Sequence, residues 1–139
     1  MPVQIVFWVP GVPAPQGSKR HVGNGRMVES ASKKLAPWRK SVVYTTRNAL
    51  SATGHSSTDL WAGKMPGTPV QVTMHFALPR PKAHYGTGRN AGELRASAAA
   101  VPVGYPDLDK LVRAVLDGLK IGGLLADDGQ VVSLGGTSK

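Results

Sequence analysis

Leu108, Leu111, Val112, Val115, Leu116 and Leu119 fall at i, i+3, i+4, i+7, i+8 and i+11, the spacing of one buried face of an α-helix. Pro106 suits the start of such a helix, Asp107 is placed to cap its first turn, and Gly122-Gly123 end it. A second helix is predicted over about residues 36–50, with Trp38, Val42 and Ala49 on its core side and Pro37 in its first turn. Arg39, Lys40 and Arg47 then face outward. Period two replaces this spacing elsewhere. Val3, Ile5, Phe7 and Val9 predict an opening strand. Val70, Val72, Met74, Phe76 and Leu78 alternate with Gln71, Thr73, His75 and Ala77, predicting a strand with one wet face, as in an antiparallel sheet. Asp127-Asp128-Gly129 reads as a turn into a short strand at residues 131–134. Together these elements predict an α+β fold: a small antiparallel or mixed β-sheet packed with two main α-helices in a single domain.

The connections carry much of the positive charge. Residues 11–26 are rich in Gly and Pro and hold Lys19, Arg20, His21 and Arg26, a loop suited to strapping a phosphate backbone. Residues 51–69 read as a polar insertion containing Trp61, and Pro79 and Pro81 close the strand predicted over 70–78. Residues 80–105 show no amphipathic period and include Lys82, His84, Tyr85, Arg89 and Arg95. So long a loop in a compact domain is usually functional or disordered. His75, on the wet face of its strand, reads as a surface residue.

Composition narrows the function classes. The chain has 139 residues, 41% of them hydrophobic, with a net charge of +9. That favours a polyanionic partner, nucleic acid first. The absence of cysteine excludes disulfides and thiolate zinc sites and fits a reducing cytoplasm. No apolar run has bilayer-spanning length, no secretory signal opens the chain, and no basic amphipathic helix suits a membrane surface. Gly86-Thr87-Gly88 lacks the rest of a dinucleotide fingerprint, and no P-loop, H-E-x-x-H, G-x-S-x-G or EF-hand pattern occurs. No small-molecule cofactor is therefore expected.

Charge is also unevenly placed. Residues 1–100 hold thirteen Lys and Arg against three acids, whereas 101–139 hold four against five. The five are Asp107, Asp109, Asp117, Asp127 and Asp128. Each has a local reading: Asp107 as a cap, Asp109 at the positive helix end, Asp117 paired with Arg113, and Asp127-Asp128 as turn residues. As a cluster they call for a counter-charge, because carboxylates ~5 Å apart repel by about 3 kcal/mol at an effective dielectric of ~20. An all-oxygen set points to magnesium or manganese.

Pro106-Asp107-Leu108-Asp109, then Arg113, Asp117 and Asp127-Asp128-Gly129-Gln130-Val131, resemble the signature of the RusA-type Holliday junction resolvases in order and spacing. The loop from Gly11 to Arg20 resembles that family's Pro-rich, basic first loop, so the likeness covers most of the chain. It implies a RusA-like nuclease domain over residues 1–139, a homodimer, and metal-dependent hydrolysis of phosphodiesters at four-way DNA junctions by paired symmetric cuts. It implies metal ligation by Asp107, Asp109 and Asp128, with Arg113 assisting at the phosphate where the family usually has lysine. Asp117 is expected to orient Arg113, and Asp127 to shape the turn. DNA contacts are expected from Lys19, Arg20, Arg26, Lys82, Arg89 and Lys110, the last where better-known members often have Asn. Lys139 corresponds to a lysine near the end of the Val131 strand, and the family's strand beyond it is expected to be missing. A bacterial cytoplasm and a phage or prophage origin follow from the same likeness. Two other classes fit the residues: a junction-binding module that no longer cuts, and a metal nuclease for other branched DNA or RNA.

Overall fold

The computed structural model describes residues 3–17, 19–29, 32–54 and 68–139; most of the predicted insertion at 51–69, with Trp61, lies outside them. Helix α1 runs Ser32–Ala52 and helix α2 runs Leu108–Ile121. Leu35, Trp38, Val42, Thr46 and Leu50 are all buried, a stripe at three- and four-residue steps that explains why α1 begins earlier than predicted. Pro37 lies inside the helix, on its exposed side. In α2 the buried side chains are Leu111, Val112, Ala114 and Leu119, with Leu108, Val115 and Leu116 packed half-buried against the same core.

Two glycines set how closely the helices meet. A Cβ on Gly118 would lie 2.5 Å from Val42 Cγ1, and one on Gly122 would lie 2.8 Å from Thr46 Cβ. Only glycine at both positions, one on α2 and the other one turn on at its C-cap, lets the backbones come together. This contact seats α2 firmly and so fixes the row of charges on its outer side.

The sheet differs from expectation. Strands β1 (Lys19–His21) and β2 (Met27–Glu29) form an antiparallel hairpin, β1 and the turn within residues 11–26, predicted as a plain loop, and β2 just beyond them. Its turn carries Asn24 at φ 51° between Gly23 and Gly25, both also at positive φ, which permits the tight reversal. Strands β3 (Val70–Gln71) and β4 (Val131–Ser133) pair parallel, not antiparallel. The reason is topological: the connection from β3 to β4 carries α2 as a crossover, and crossovers yield parallel neighbours. Pairing then continues irregularly, with Val72 N–H donating to Ser133 O (2.9 Å), Ser138 N–H to Met74 O (3.0 Å) and Phe76 N–H to Ser138 O (2.9 Å). Residues 133–138 thus extend the edge beside residues 72–76, burying Met74 and Phe76 beneath.

The predicted opening strand belongs to no ladder among the described residues. Its alternation survives: Phe7 and Val9 pack on the core, while Val6 and Trp8 are 81% and 77% exposed. Side-chain alternation decides which face packs, but a ladder also needs a partner edge. Residues 80–105 are ordered by their own bonds rather than slack. Short 3₁₀ turns at Lys82–His84 and Gly88–Asn90 flank a Tyr85–Leu94 bridge, and Arg80 Nη1 donates to Ala99 O at 2.7 Å. Among the described residues no helix is long and apolar enough to cross a membrane.

Candidate active site

Helix α2 aligns Asp109, Arg113 and Asp117 at four-residue steps along its outer side. Asp107 stands at the N-cap, yet its carboxylate makes no cap bond; the first turn closes through its carbonyl, which accepts from Lys110 N–H (3.2 Å) and Leu111 N–H (3.1 Å). The expected capping role therefore falls to the backbone, and both carboxylate oxygens stay available. The approach to Asp107, through a cis Tyr105–Pro106 bond, is tied down by the far end of the chain. Lys139 Nζ donates to Gly104 O at 2.5 Å and to Pro106 O at 2.7 Å. Asp109 meets Lys110 at 3.4 Å with its own side chain 72% exposed, a contact that solvent screens to little energy.

Asp117 does not hold Arg113. It accepts a hydrogen bond from the Gln16 amide, whose carbonyl in turn accepts from Arg39 Nη2. The same Gln16 donates its backbone N–H to Lys110 O at 3.0 Å, so the first loop is docked along α2. Gly17, at φ 104°, continues this contact: a Cβ there would lie 3.0 Å from Arg113 Nη1. Arg113 is exposed and forms no ion pair among the described residues. Gln16, Gly17, Arg39, Arg113, Asp117, Lys120 and Ile121 line an open pocket of about 380 Å³. Arg39, read from sequence as facing outward, is instead half-buried and turned into this network. Its involvement had no local signal, because Gln16 reaches it only through tertiary folding.

The Asp127–Gln130 turn is a reciprocal cap. Asp127 accepts from Gly129 N–H (3.1 Å), and Gln130 Oε1 accepts from Asp127 N–H (3.0 Å) and Ala126 N–H (2.7 Å). Gln130 is only 3% exposed and donates its amide to Thr68 O at 3.1 Å, pinning the turn to the chain leading into β3. Sequence pattern marked this glutamine without assigning it a role. Lys120 Nζ closes the turn against α2 at 3.1 Å from Asp127 Oδ1. That bond, with the Gly129 N–H, holds the Asp127 carboxyl below the usual range, and the bond to Asp127 raises Lys120 above an ordinary lysine. Asp127 thus shapes the turn, while Asp128 is exposed and makes no side-chain hydrogen bond among the described residues.

The donor chemistry of Asp107, Asp109 and Asp128 suits a hard divalent cation, as all are carboxylates without a strong competing partner. Among the described residues, however, no three His, Asp or Glu side chains are gathered as a metal ion would require. Of the expected DNA contacts, Arg26, Lys82 and Arg89 are exposed and Lys110 is half-buried beside Asp109. The side chains of Lys19 and Arg20 lie outside the described part of the structure, although their backbone forms β1.

Comparison with protein families matches residues 10–138 to Endodeoxyribonuclease RusA. The chain belongs to the RusA endodeoxyribonuclease family. No curated protein and no solved structure matches it. The residues matched to RusA take in the docked first loop, both helices and the Asp127–Gln130 turn.

Proposed function

We propose that this RusA-family chain is a metal-dependent endonuclease that resolves Holliday junctions by paired symmetric phosphodiester hydrolysis. The observation that carries the reading is the outer edge of α2 and its neighbouring turn. Among the described residues, Asp107 and Asp128 carry carboxylates with no side-chain hydrogen bond and Arg113 carries a guanidinium with no ion pair, all within the family match. Asp107, Asp109 and Asp128 would hold magnesium, or manganese, on assembly with substrate. A cation held there would supply an activated water and would offset charge on the scissile phosphate.

The chain's own residues supply the rest. Arg113 stabilises phosphate charge with a planar fork and does not transfer a proton, since guanidinium stays protonated. Lys19, Arg20, Arg26, Lys82, Arg89 and Lys110 hold the DNA backbone by counterion release. Two symmetric cuts require two sites, hence a homodimer, working in the cytoplasm of a bacterial host and encoded by phage or prophage. The deciding experiment incubates the protein with a synthetic four-way junction and a matched linear duplex, with magnesium and with chelator. Paired nicks in the junction alone, abolished by chelator, are expected. Retention of the junction without nicks would make the chain a binding module, and cutting of flaps or RNA would make it a nuclease for other substrates.

A further inference from the structure

The pocket between the first loop, α1 and α2 has a charge pattern that the cutting site shares only through Arg113. Arg39, Arg113 and Lys120 face it with one carboxylate, Asp117. That carboxylate already accepts from the Gln16 amide, and Lys120 is paired with Asp127. Two guanidinium groups therefore share one open pocket, neither with an ion-pair partner among the described residues. Arg39 Nε is a buried donor with no hydrogen-bond partner, a group that native structures normally satisfy with protein, water or ligand. Gly17 lets the loop backbone close against Arg113, where any side chain would crowd Nη1 at 3.0 Å.

Resting on the nuclease reading above, we infer that this pocket seats a backbone phosphate of the bound strand other than the one that is cut, with Arg39 as its principal donor. The spacing separates the two. Gln16 bonds both Arg39 and Asp117, which places the Arg39 guanidinium near the Asp117 level of α2. Asp117 lies eight residues beyond Asp109, about 12 Å along the axis at ~1.5 Å per residue. A strand rising ~3.4 Å per nucleotide covers that distance in about three to four nucleotides. Arg113, midway, marks the border between the two phosphates. The fork geometry of Arg39, held at one nitrogen by Gln16, leaves its other donors for a phosphodiester, which arginine recognises with two parallel bonds. Gln16 is the positioning residue that aims it.

Two measurements test this. In the first, the arginine Nε–Hε NMR signals of the full chain are followed while inorganic phosphate is added against chloride at matched ionic strength. A saturable shift at Arg39, with Arg113 moving in step, is expected. Arg39→Gln should abolish the Arg113 shift, and Arg39→Lys, which keeps the charge without the fork, should leave it weakened. Absence of saturation at Arg39, or an Arg113 response unchanged in Arg39→Gln, overturns the pocket. In the second, single neutral methylphosphonates are walked along a four-way junction. One placed about three to four nucleotides from the cut should weaken wild-type binding about tenfold, the size of one charge-assisted contact, and Arg39→Gln less than about twofold. Equal losses in both proteins also overturn it. Should the wild type bind no junction at all, the nuclease reading fails while the phosphate titration still decides the pocket.

Discussion

The side chains of Gln16 and Asp117, 101 residues apart in the chain, are joined by a direct hydrogen bond. Through it the first loop, α1 and α2 become one unit, because the same amide accepts from Arg39. Gln16→Ala would leave a carboxylate and a guanidinium without their partner in a half-buried place. A loss of about 1–3 kcal/mol is expected for such a deletion, read as a lower Tm. Gln16→Glu should destabilise further by setting a second carboxylate beside Asp117. A Gln16→Ala protein melting with the wild type would mean the loop is not held by this bond.

Gly118 offers a test of the helix contact. Gly118→Ala puts a methyl 2.5 Å from Val42 Cγ1, and overpacking of this kind costs about 1–3 kcal/mol. Urea unfolding should show a lower midpoint with the slope unchanged. Adding Val42→Ala should recover part of the Gly118→Ala loss relative to Val42→Ala alone, since the two positions share one contact. Strict additivity would argue that α1 and α2 do not meet there.

The Lys120–Asp127 bond makes a pH prediction. The native pKa of Asp127 is lowered, so its contribution is complete above the ordinary carboxylate range and lost as pH falls through the native value. That of Lys120 is raised, so its contribution is complete below the ordinary lysine range and lost as pH rises through the native value. Thermal melts of wild type and Lys120→Met should therefore differ across neutral pH and converge on both the acid and alkaline sides. A gap that persists undiminished into strong acid would show that the bond is not its source.

Asp109→Asn is expected to abolish cutting while junction binding holds or tightens, because one negative charge near phosphate is removed. Chelation of the wild type should give the same separation of binding from cutting. Gel shift and nicking assays on one junction measure both, and full nicking by Asp109→Asn would remove Asp109 from the ligand set.

Arg113 separates charge from proton transfer. If it stabilises the phosphate, Arg113→Ala should lose about two to three orders of magnitude in rate, the usual effect of deleting one preorganised charge-stabilising group. Arg113→Lys should keep much of the activity, since a point cation still serves. Recovery of Arg113→Ala to near wild-type turnover at high magnesium would instead make the residue a mere screen for neighbouring carboxylates.

What could be read from the chain alone was whatever local geometry enforces. The span of α2 was legible because helix bonds close four residues apart and the apolar spacing from Leu108 to Leu119 has only one way to face a core. The Asp127–Gln130 turn was legible for the same reason, since its reciprocal bonds lie within four residues. Alternation at residues 70–78 told which side chains face inward, and Met74 and Phe76 are indeed buried. It did not tell the strand's partner or direction. A ladder's partner is chosen by the path of the chain between, here the crossover carrying α2, and that path leaves no period in the sequence. The Gln16–Arg39–Asp117 network and the Lys139 anchor beneath Pro106 were illegible on the same grounds. They join residues whose neighbourhood exists only after the helices have packed, with Gly118 and Gly122 setting how near α1 comes to α2.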